Sequence, residues 1–489
     1  MQNAIRLALC FLCFCVLEWS SSNHAQEVDT PVAALDSTVP ISTTRTGLPA
    51  ALENEAAWKL LPESQSSRTA KLPNWARTLV AHMPNTTAAL LQLDYAHRQS
   101  GPVDRRLRSA MRWVAAKANG CSVMMNVAHE DGLRFGEKEN RLLALKMDDY
   151  SLWSKSEQAA LEFALAMTVD SDGYSDDQFQ KLVDMYSPEI VGSMVLHLAF
   201  ANFQDRLCNC LGIDQAQDNP LPPIDYGFDM GQLAEVANAT TPSSSPSSPS
   251  SSSPAAAIVT KEPKSIDTVQ VKTEQPQDYT WLDYSGLQER LLKQRTRSSR
   301  LPSPDWSKTA ALLPPGLMDG PTEIVWYQLA FGYAHELAVP FEYYLQIASQ
   351  DVRRSWDRTF GGCLFWMVTD SIHCPYCMGH CEMNWEVAGL DTNKIESLSR
   401  SLAGSDWSNF SKPQQSALEF ARKVTKTPFA ISRSDVQSLR DGFGDQQAVH
   451  ILLQCSRYNY MVRISNGFQL TLESDNVFWD YYKMPRPKR

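Results

Sequence analysis

The chain has 489 residues, 43% of them hydrophobic and 20% charged, with a formal net charge of -10. That length exceeds what one core holds and points to roughly two to four domains of ordinary globular composition. The acidic balance argues against a nucleic-acid partner, whose phosphates call for a basic face, and no run beyond the N-terminus approaches the ~20 apolar residues that span a bilayer.

In chain order, the first element is the N-terminus. Arg6 precedes the apolar run LALCFLCFCVL, and the polar stretch EWSSSNHAQE follows. This is the layout of a secretory signal peptide over residues 1–25, with Ala25 the last residue before cleavage. The apolar run is short for a membrane anchor. The expected product is an exported chain, periplasmic or extracellular, with no membrane attachment after cleavage. Cys10, Cys13 and Cys15 leave with the signal, while Cys121, Cys208, Cys210, Cys363, Cys374, Cys377, Cys381 and Cys455 remain. An even count in an exported protein permits disulfides without specifying them. Residues 26–46 read as disordered.

The next segment is one half of an internal duplication. SKSEQAALEFALAMT near residue 160 returns as SKPQQSALEFARKVT near residue 417, at a fixed offset of 257. Ser154 pairs with Ser411, Leu161 with Leu418 and Phe163 with Phe420. Without a gap, the same offset pairs Ser175 with Ser432, Gln180 with Gln437, Leu182 with Leu439, Asn202 with Asn459 and Arg206 with Arg463. Chance does not hold one register so long. Residues 47–215 and 279–489 are therefore read as tandem copies.

Within the first copy the period is helical. Leu107, Met111 and Val114 in RRLRSAMRWVAAKA form one apolar stripe, with the arginines expected opposite. In SEQAALEFALAMT, Ser156 is the expected N-cap, and Ser175 opens a helix whose first turn is acidic. Alternating β-branched runs are absent. The fold class expected is all-α, with roughly five to seven helices per copy. Cys121 stands in this copy with Met124, His129 and Glu130 after it; a core thiol beside a surface imidazole is the ordinary reading. Cys208 and Cys210 are two apart on a helix end and face different ways, so they do not pair with each other. His97 and His335 sit outside the repeat's offset and read as surface residues.

The tract TTPSSSPSSPSSSSPAAA lies between the copies. Such serine and proline density buries no apolar surface, so residues 216–278 are expected to be a disordered linker. Asn85 and Asn238 lie in N-x-T sequons, which matter in a glycosylating host.

The second copy holds the distinctive motif, CPYCMGHC from Cys374 to Cys381. WDRTFGGCLFWMVTDSIH before it reads as a buried helix, with Phe360, Leu364, Met367 and Val368 on one side. Cys374 then opens a new helix, with Pro375 in its first turn. Helix N-termini favour thiolate over thiol. His380 and Cys381 follow Cys377 by three and four residues and share its face, where a histidine can exchange a proton with a thiol. A c-type haem tether requires histidine directly after the second cysteine, where Met378 stands. A zinc site calls for a second ligand pair, which is missing, although His373, Cys374, Cys377 and Cys381 are a conceivable set. An iron–sulfur cluster is at odds with export. A structural disulfide and a working dithiol remain. CxxC closes so small a loop that it removes little chain entropy, which suits redox cycling better than stabilisation.

CPYCMGHCEMNWEVAGL after a buried helix resembles the CxxC segment of the carboxymuconolactone decarboxylase superfamily, in its alkylhydroperoxidase D-like (AhpD-like) branch. LPNWARTLVAHMPNTTAALLQLDYAHRQSGPVDRRLRSAMRWVAAKANGCSV in the first copy is similar to the same family's lead-in to its cysteine turn. The resemblance covers most of both copies, but only the second cysteine motif is specific. It implies two AhpD-like all-α domains in tandem, possible homo-oligomers, and thiol-dependent reduction of a hydroperoxide or disulfide substrate by an unknown thiol electron donor. It implies no cofactor and no metal. Cys377 would attack the peroxide and Cys374 would resolve it, whereas helix geometry alone favours Cys374 as the thiolate. Two positions depart from the family pattern. Cys381 stands where its histidine is usual, with His380 one residue early, and Gly362 stands where its glutamate is usual. Asp370, His373 and Glu382 are nearby titratable groups outside the pattern.

The candidate catalytic set is thus Cys374, Cys377, His380 and Cys381. The alternative is a catalytically degenerate binding or assembly module whose CxxC is a structural disulfide.

Overall fold

Serines stand where the duplicated helices begin. The Ser154 and Ser411 hydroxyls each accept from the backbone N–H three residues on, and Glu157 and Gln414 return a bond to the cap's own N–H. Ser175 with Gln178 and Ser432 with Asp435 repeat the device. Each box satisfies helix-terminal donors that otherwise lack partners. Ser156, the expected cap, lies inside the first turn instead, because the glutamate that closes the box is three residues from Ser154.

The computed structural model describes residues 44–213, 220–239, 284–318, 322–352, 355–404 and 406–486. The first copy contains α1 (Asn54–Leu60), α2 (Asn74–Leu79), α3 (Pro84–Gln99), α4 (Arg105–Ala118), α5 (Ser122–Arg134), α6 (Glu139–Leu145), α7 (Lys155–Val169), α8 (Asp176–Met185) and α9 (Pro188–Leu211). After α10 (Met230–Ala239) come α11 (Tyr284–Thr296), α12 (Trp306–Ala310), α13 (Val325–Val352), α14 (Arg358–Ser371), α15 (Pro375–Val387), α16 (Thr392–Ala403), α17 (Lys412–Lys426), α18 (Arg433–Phe468) and α19 (Phe478–Tyr481). Among the described residues there is no strand, so the all-α expectation holds. Each copy has more helices than expected, the excess being short ones such as α2, α12 and α19. No described helix is long and apolar enough to cross a membrane. The predicted signal peptide, the N-terminal segment as far as residue 43 and the Ser/Pro tract lie outside the described residues.

The duplication is visible in the backbone. α18 breaks at Gly444, whose φ of 78° interrupts the helix; Ser187, between α8 and α9, stands at the same place in the first copy. Every residue of α9 from Val191 to Leu211 is buried, as is every residue of α18 from Ala448 to Phe468. Helices buried on all sides belong at the centre of a core, and these two pack against each other. Among the described residues one hydrophobic core runs through both copies, so the expectation that this length exceeds a single core does not hold.

Polar residues at matched positions of α9 and α18 join the copies. Arg206 donates across to the Thr425 carbonyl at 2.9 Å, in the last turn of α17. Arg463 donates across to the Met167 and Thr168 carbonyls at 3.1 Å each, in the last turn of α7. Both arginines also hold the Oδ1 of the asparagine one turn earlier, Asn202 or Asn459, at 2.7 Å. Those asparagines donate to Thr168 and Thr425 in turn, at 3.2 Å each. Burial lowers the Arg206 guanidinium to about 10 and holds Arg463 well below its ordinary value. The carbonyls of a helix C-terminus suit such a cation. The exchange is reciprocal.

Several local expectations change. Arg108 and Arg112 are buried rather than turned to solvent: Arg108 ties the carbonyls of His97 in the last turn of α3 and of Ser100 and Val103 beyond it, and Arg112 reaches Gln204 and Met124. His97 is buried too, its Nδ1 3.3 Å from that of His197, while His335 is half-buried. Residues 220–239, assigned to the linker, carry buried Tyr226 and Phe228 beside Trp58, then α10, which packs on α13 and α3. Aromatic residues inside a Pro-rich stretch were the overlooked signal. At the other boundary, Thr44 and Thr46 are buried.

Arg463→Met should leave the Met167 and Thr168 carbonyls without this donor and cost about 3 kcal/mol. Denaturant unfolding, followed by fluorescence and by circular dichroism, should show one transition moved to lower denaturant. Independent unfolding of the two copies would contradict the shared core.

Candidate functional site

The site is built where α14 hands over to α15. His373, in the connection, has a φ of 54°, and Gly120 has a φ of 61° at the matching place before α5. This left-handed residue turns the chain so that the next one, Cys374 or Cys121, becomes an N-cap. The two caps share a conformation, φ -103° and ψ 88° for Cys374 against φ -99° and ψ 88° for Cys121. The expected helix start at Cys374 with Pro375 in the first turn is what the structure has, and α14 before it is buried as expected.

Cys374 and Cys377 come together. The Cys377 backbone N–H donates to Cys374 Sγ at 3.4 Å. Cys374 is 0% exposed and Cys377 3%. Burial, with the bond to Cys377, pushes the Cys374 thiol well up. Cys377 Sγ donates to Ser465 Oγ at 3.2 Å, and that hydroxyl donates to the Met461 carbonyl at 3.0 Å. Ser465 is two residues beyond Arg463 on α18, so one helix serves both the inter-copy contact and the cysteine site.

His380, one turn after Cys377, is 2% exposed. Its Nε2 lies 2.7 Å from Glu473 Oε2. The other carboxylate oxygen, Oε1, accepts from the Tyr376 hydroxyl at 2.9 Å and from the Val325 N–H at 2.8 Å. The Trp326 N–H donates to the Tyr376 oxygen at 3.2 Å. Burial acts to raise Glu473, but His380 beside it holds the carboxyl below its ordinary value. Burial and the Glu473 charge push the Tyr376 phenol well up. The arrangement is an imidazole anchored by a carboxylate on the helix that carries the dithiol.

Glycine makes the anchoring possible. A Cβ on Gly379 would stand 2.4 Å from the Leu472 side chain, so the segment carrying Glu473 lies against bare backbone. Gly362, where the family pattern has its glutamate, is covered by Trp385; a Cβ there would lie 2.3 Å from Nε1 of the indole. No side chain fits at that position as packed, and Glu473 approaches His380 from another element. Sequence reasoning missed it because ESDN after α18 carries no spacing that announces a ligand. Of the groups it did flag, Glu382 is engaged by Gln288 and Ser399, while His373 is exposed. Cys381 is fully buried on α15 one turn beyond Cys377.

In the first copy, Met124 replaces the second cysteine and takes a contact from Arg112 at 3.1 Å. His129 pairs with Glu139 at 3.3 Å. All eight described cysteines are buried thiols, with no disulfide among them. Among the described residues no group of three or more His, Cys, Asp or Glu side chains is arranged to hold a metal ion.

No family model matches the chain, and no curated protein matches it either.

Glu473→Gln tests the anchoring through pH. A carboxylate held below its unfolded value adds stability above the ordinary carboxylate range and loses it as pH falls through the folded value. The variant should therefore lose about 2 kcal/mol at neutral pH, and the difference from the parent should shrink in acid. An equal loss at pH 3 and pH 7 would mean that the charge on Glu473 is irrelevant.

Proposed function

We propose that this chain is an exported, thiol-dependent hydroperoxide reductase of the AhpD-like kind, working through the dithiol of its second copy. The observation that carries the reading is Cys374 capping α15 with its sulfur on the Cys377 N–H, with a carboxylate-anchored histidine one turn later on the same helix. The sequence resemblance and the secretory layout of residues 1–25 add to it.

Cys377 is the attacking thiol: it is the less buried of the two, it stands one turn from His380, and burial pushes the Cys374 thiol well up. Its proton passes to His380, its sulfur attacks the outer peroxide oxygen, the O–O bond breaks, and His380 returns that proton to the departing alkoxide, which leaves as the alcohol. Glu473 stabilises the imidazolium. The sulfenic acid on Cys377 is then attacked by Cys374, water leaves, and a Cys374–Cys377 disulfide remains. An external thiol donor returns the two electrons by exchange. Ser465 orients the Cys377 sulfur through its hydrogen bond.

A second reading rests on the depth of the pair. With both sulfurs almost wholly buried, the same cysteines suit a binding or assembly module stapled by an inert disulfide.

Peroxide consumption by the full exported chain, with a small dithiol as donor, separates the readings. Cys377→Ser should abolish turnover, and Cys374→Ser should slow it at least about tenfold, ~1.4 kcal/mol of barrier. Cys381→Ser and Cys121→Ser should leave it nearly unchanged. Loss of turnover in Cys121→Ser but not in Cys377→Ser would assign the chemistry to the other copy, and no thiol-dependent consumption at all would favour the module.

A further inference from the structure

The first copy lacks CxxC, yet its N-cap cysteine is not alone. Cys208 on α9 lies in the stretch of helix that the segment leading into Cys121 is bonded to. The surrounding backbone fixes the approach: the Asn119 amide donates to Asp205 Oδ2 at 2.8 Å, and Asn209 donates to the Asn119 carbonyl at 3.0 Å. These bonds bracket the two thiols on both segments. Cys208 also occupies the repeat position of Ser465, the residue that contacts Cys377 in the second copy. Cys210 faces elsewhere, its sulfur 3.7 Å from the Ser456 hydroxyl of α18. Neither Cys121 nor Cys208 has a part in the chemistry assigned to α15.

We propose that Cys121 and Cys208 are a second redox pair, closing as a disulfide between the start of α5 and the last turns of α9 when hydrogen peroxide reaches it. The first copy keeps the N-cap thiol and takes its partner from the long core helix instead of from the next turn. Cys121, at the positive end of α5, attacks one peroxide oxygen; the O–O bond breaks, one water leaves after protonation, and Cys121 carries a sulfenic acid. The neighbouring Cys121 thiol, together with burial, raises Cys208 and keeps it protonated until that point. Its sulfur then displaces the sulfenic oxygen as a second water. Two thiols lose two electrons and two protons, and one peroxide becomes two waters. The pair has no anchored imidazole, so this is a slow, once-per-oxidation closure and not a turnover site. Its consequence is mechanical: α5 becomes covalently tied to a central helix of the shared core.

The test is peptide mapping of the native, full chain after a hydrogen peroxide pulse and blocking of the remaining thiols. Cys121 is the one cysteine in the tryptic fragment Ala118–Arg134, whereas Cys374, Cys377 and Cys381 fall in a different fragment. The first copy's result is therefore read independently of the α15 dithiol. The expected product is that fragment linked to the one beginning at Leu207. Cys208→Ser should remove the link and Cys210→Ser should keep it. The Cys208→Ser variant should fold, because a serine, Ser465, occupies the matching position on α18. The oxidised parent should melt at least about 5 °C higher than the reduced one, and dithiothreitol should reverse the rise. Cys121 recovered as a blocked free thiol after the pulse, or linked to any other cysteine, would overturn the proposal.

Discussion

Two buried guanidinium groups, exchanged between the copies of a duplicated chain, are what the rest of the architecture depends on. Each repeat takes donors for part of its C-terminal carbonyls from the other. Those of α7 are met by Arg463 of the second copy, and that of α17 is met by Arg206 of the first. Charges so deep are costly, as the lowered Arg206 and Arg463 show, and they are tolerable only while both helices stay packed. The copies are therefore held in one mutual arrangement, with α9 against α18 at the centre. The cysteine site inherits that rigidity, since Arg463 and Ser465 share a turn of α18, one facing the other copy and one facing Cys377.

The duplication has diverged unequally. In the second copy the helix after the left-handed turn carries two cysteines and a histidine, and Gly379 admits the segment that brings Glu473. In the first copy the same helix carries Met124 and Val127 after the Cys121 cap, and an arginine takes up the space around the methionine. The backbone geometry of the cysteine turn survives in both, so the difference lies in side chains and not in the fold. A copy that supplies half of a shared core can vary its own thiols as long as α9 keeps Asn202 and Arg206.

Much of this was legible in the residues. The offset of 257 marked Asn202, Arg206, Asn459 and Arg463 as matched before their role was known, and helical periodicity gave the fold class. The roles were hidden because a buried arginine has no sequence signature of its own. On α4 the stripe of Leu107, Met111 and Val114 implied a solvent face opposite, but the turn after α3 and the long helix α9 cover Arg108 and Arg112. Glu473 was missed for a related reason: its partner lies far away in sequence and is met through a loop. The approach of the Cys121 segment to α9 at Cys208 is equally non-local, whereas CPYCMGHC, a local motif with a helix N-terminus built in, was read correctly as to its elements.

The central claim, that Cys374 and Cys377 are a working dithiol held at a rigid seam, is tested most directly by its reduction potential. Equilibration of the full chain in graded dithiothreitol buffers, with the Cys374–Cys377 bond scored by mass, should give a two-electron transition above about -300 mV. A bond that stays closed well below that value, or three α15 thiols that never oxidise, would contradict it.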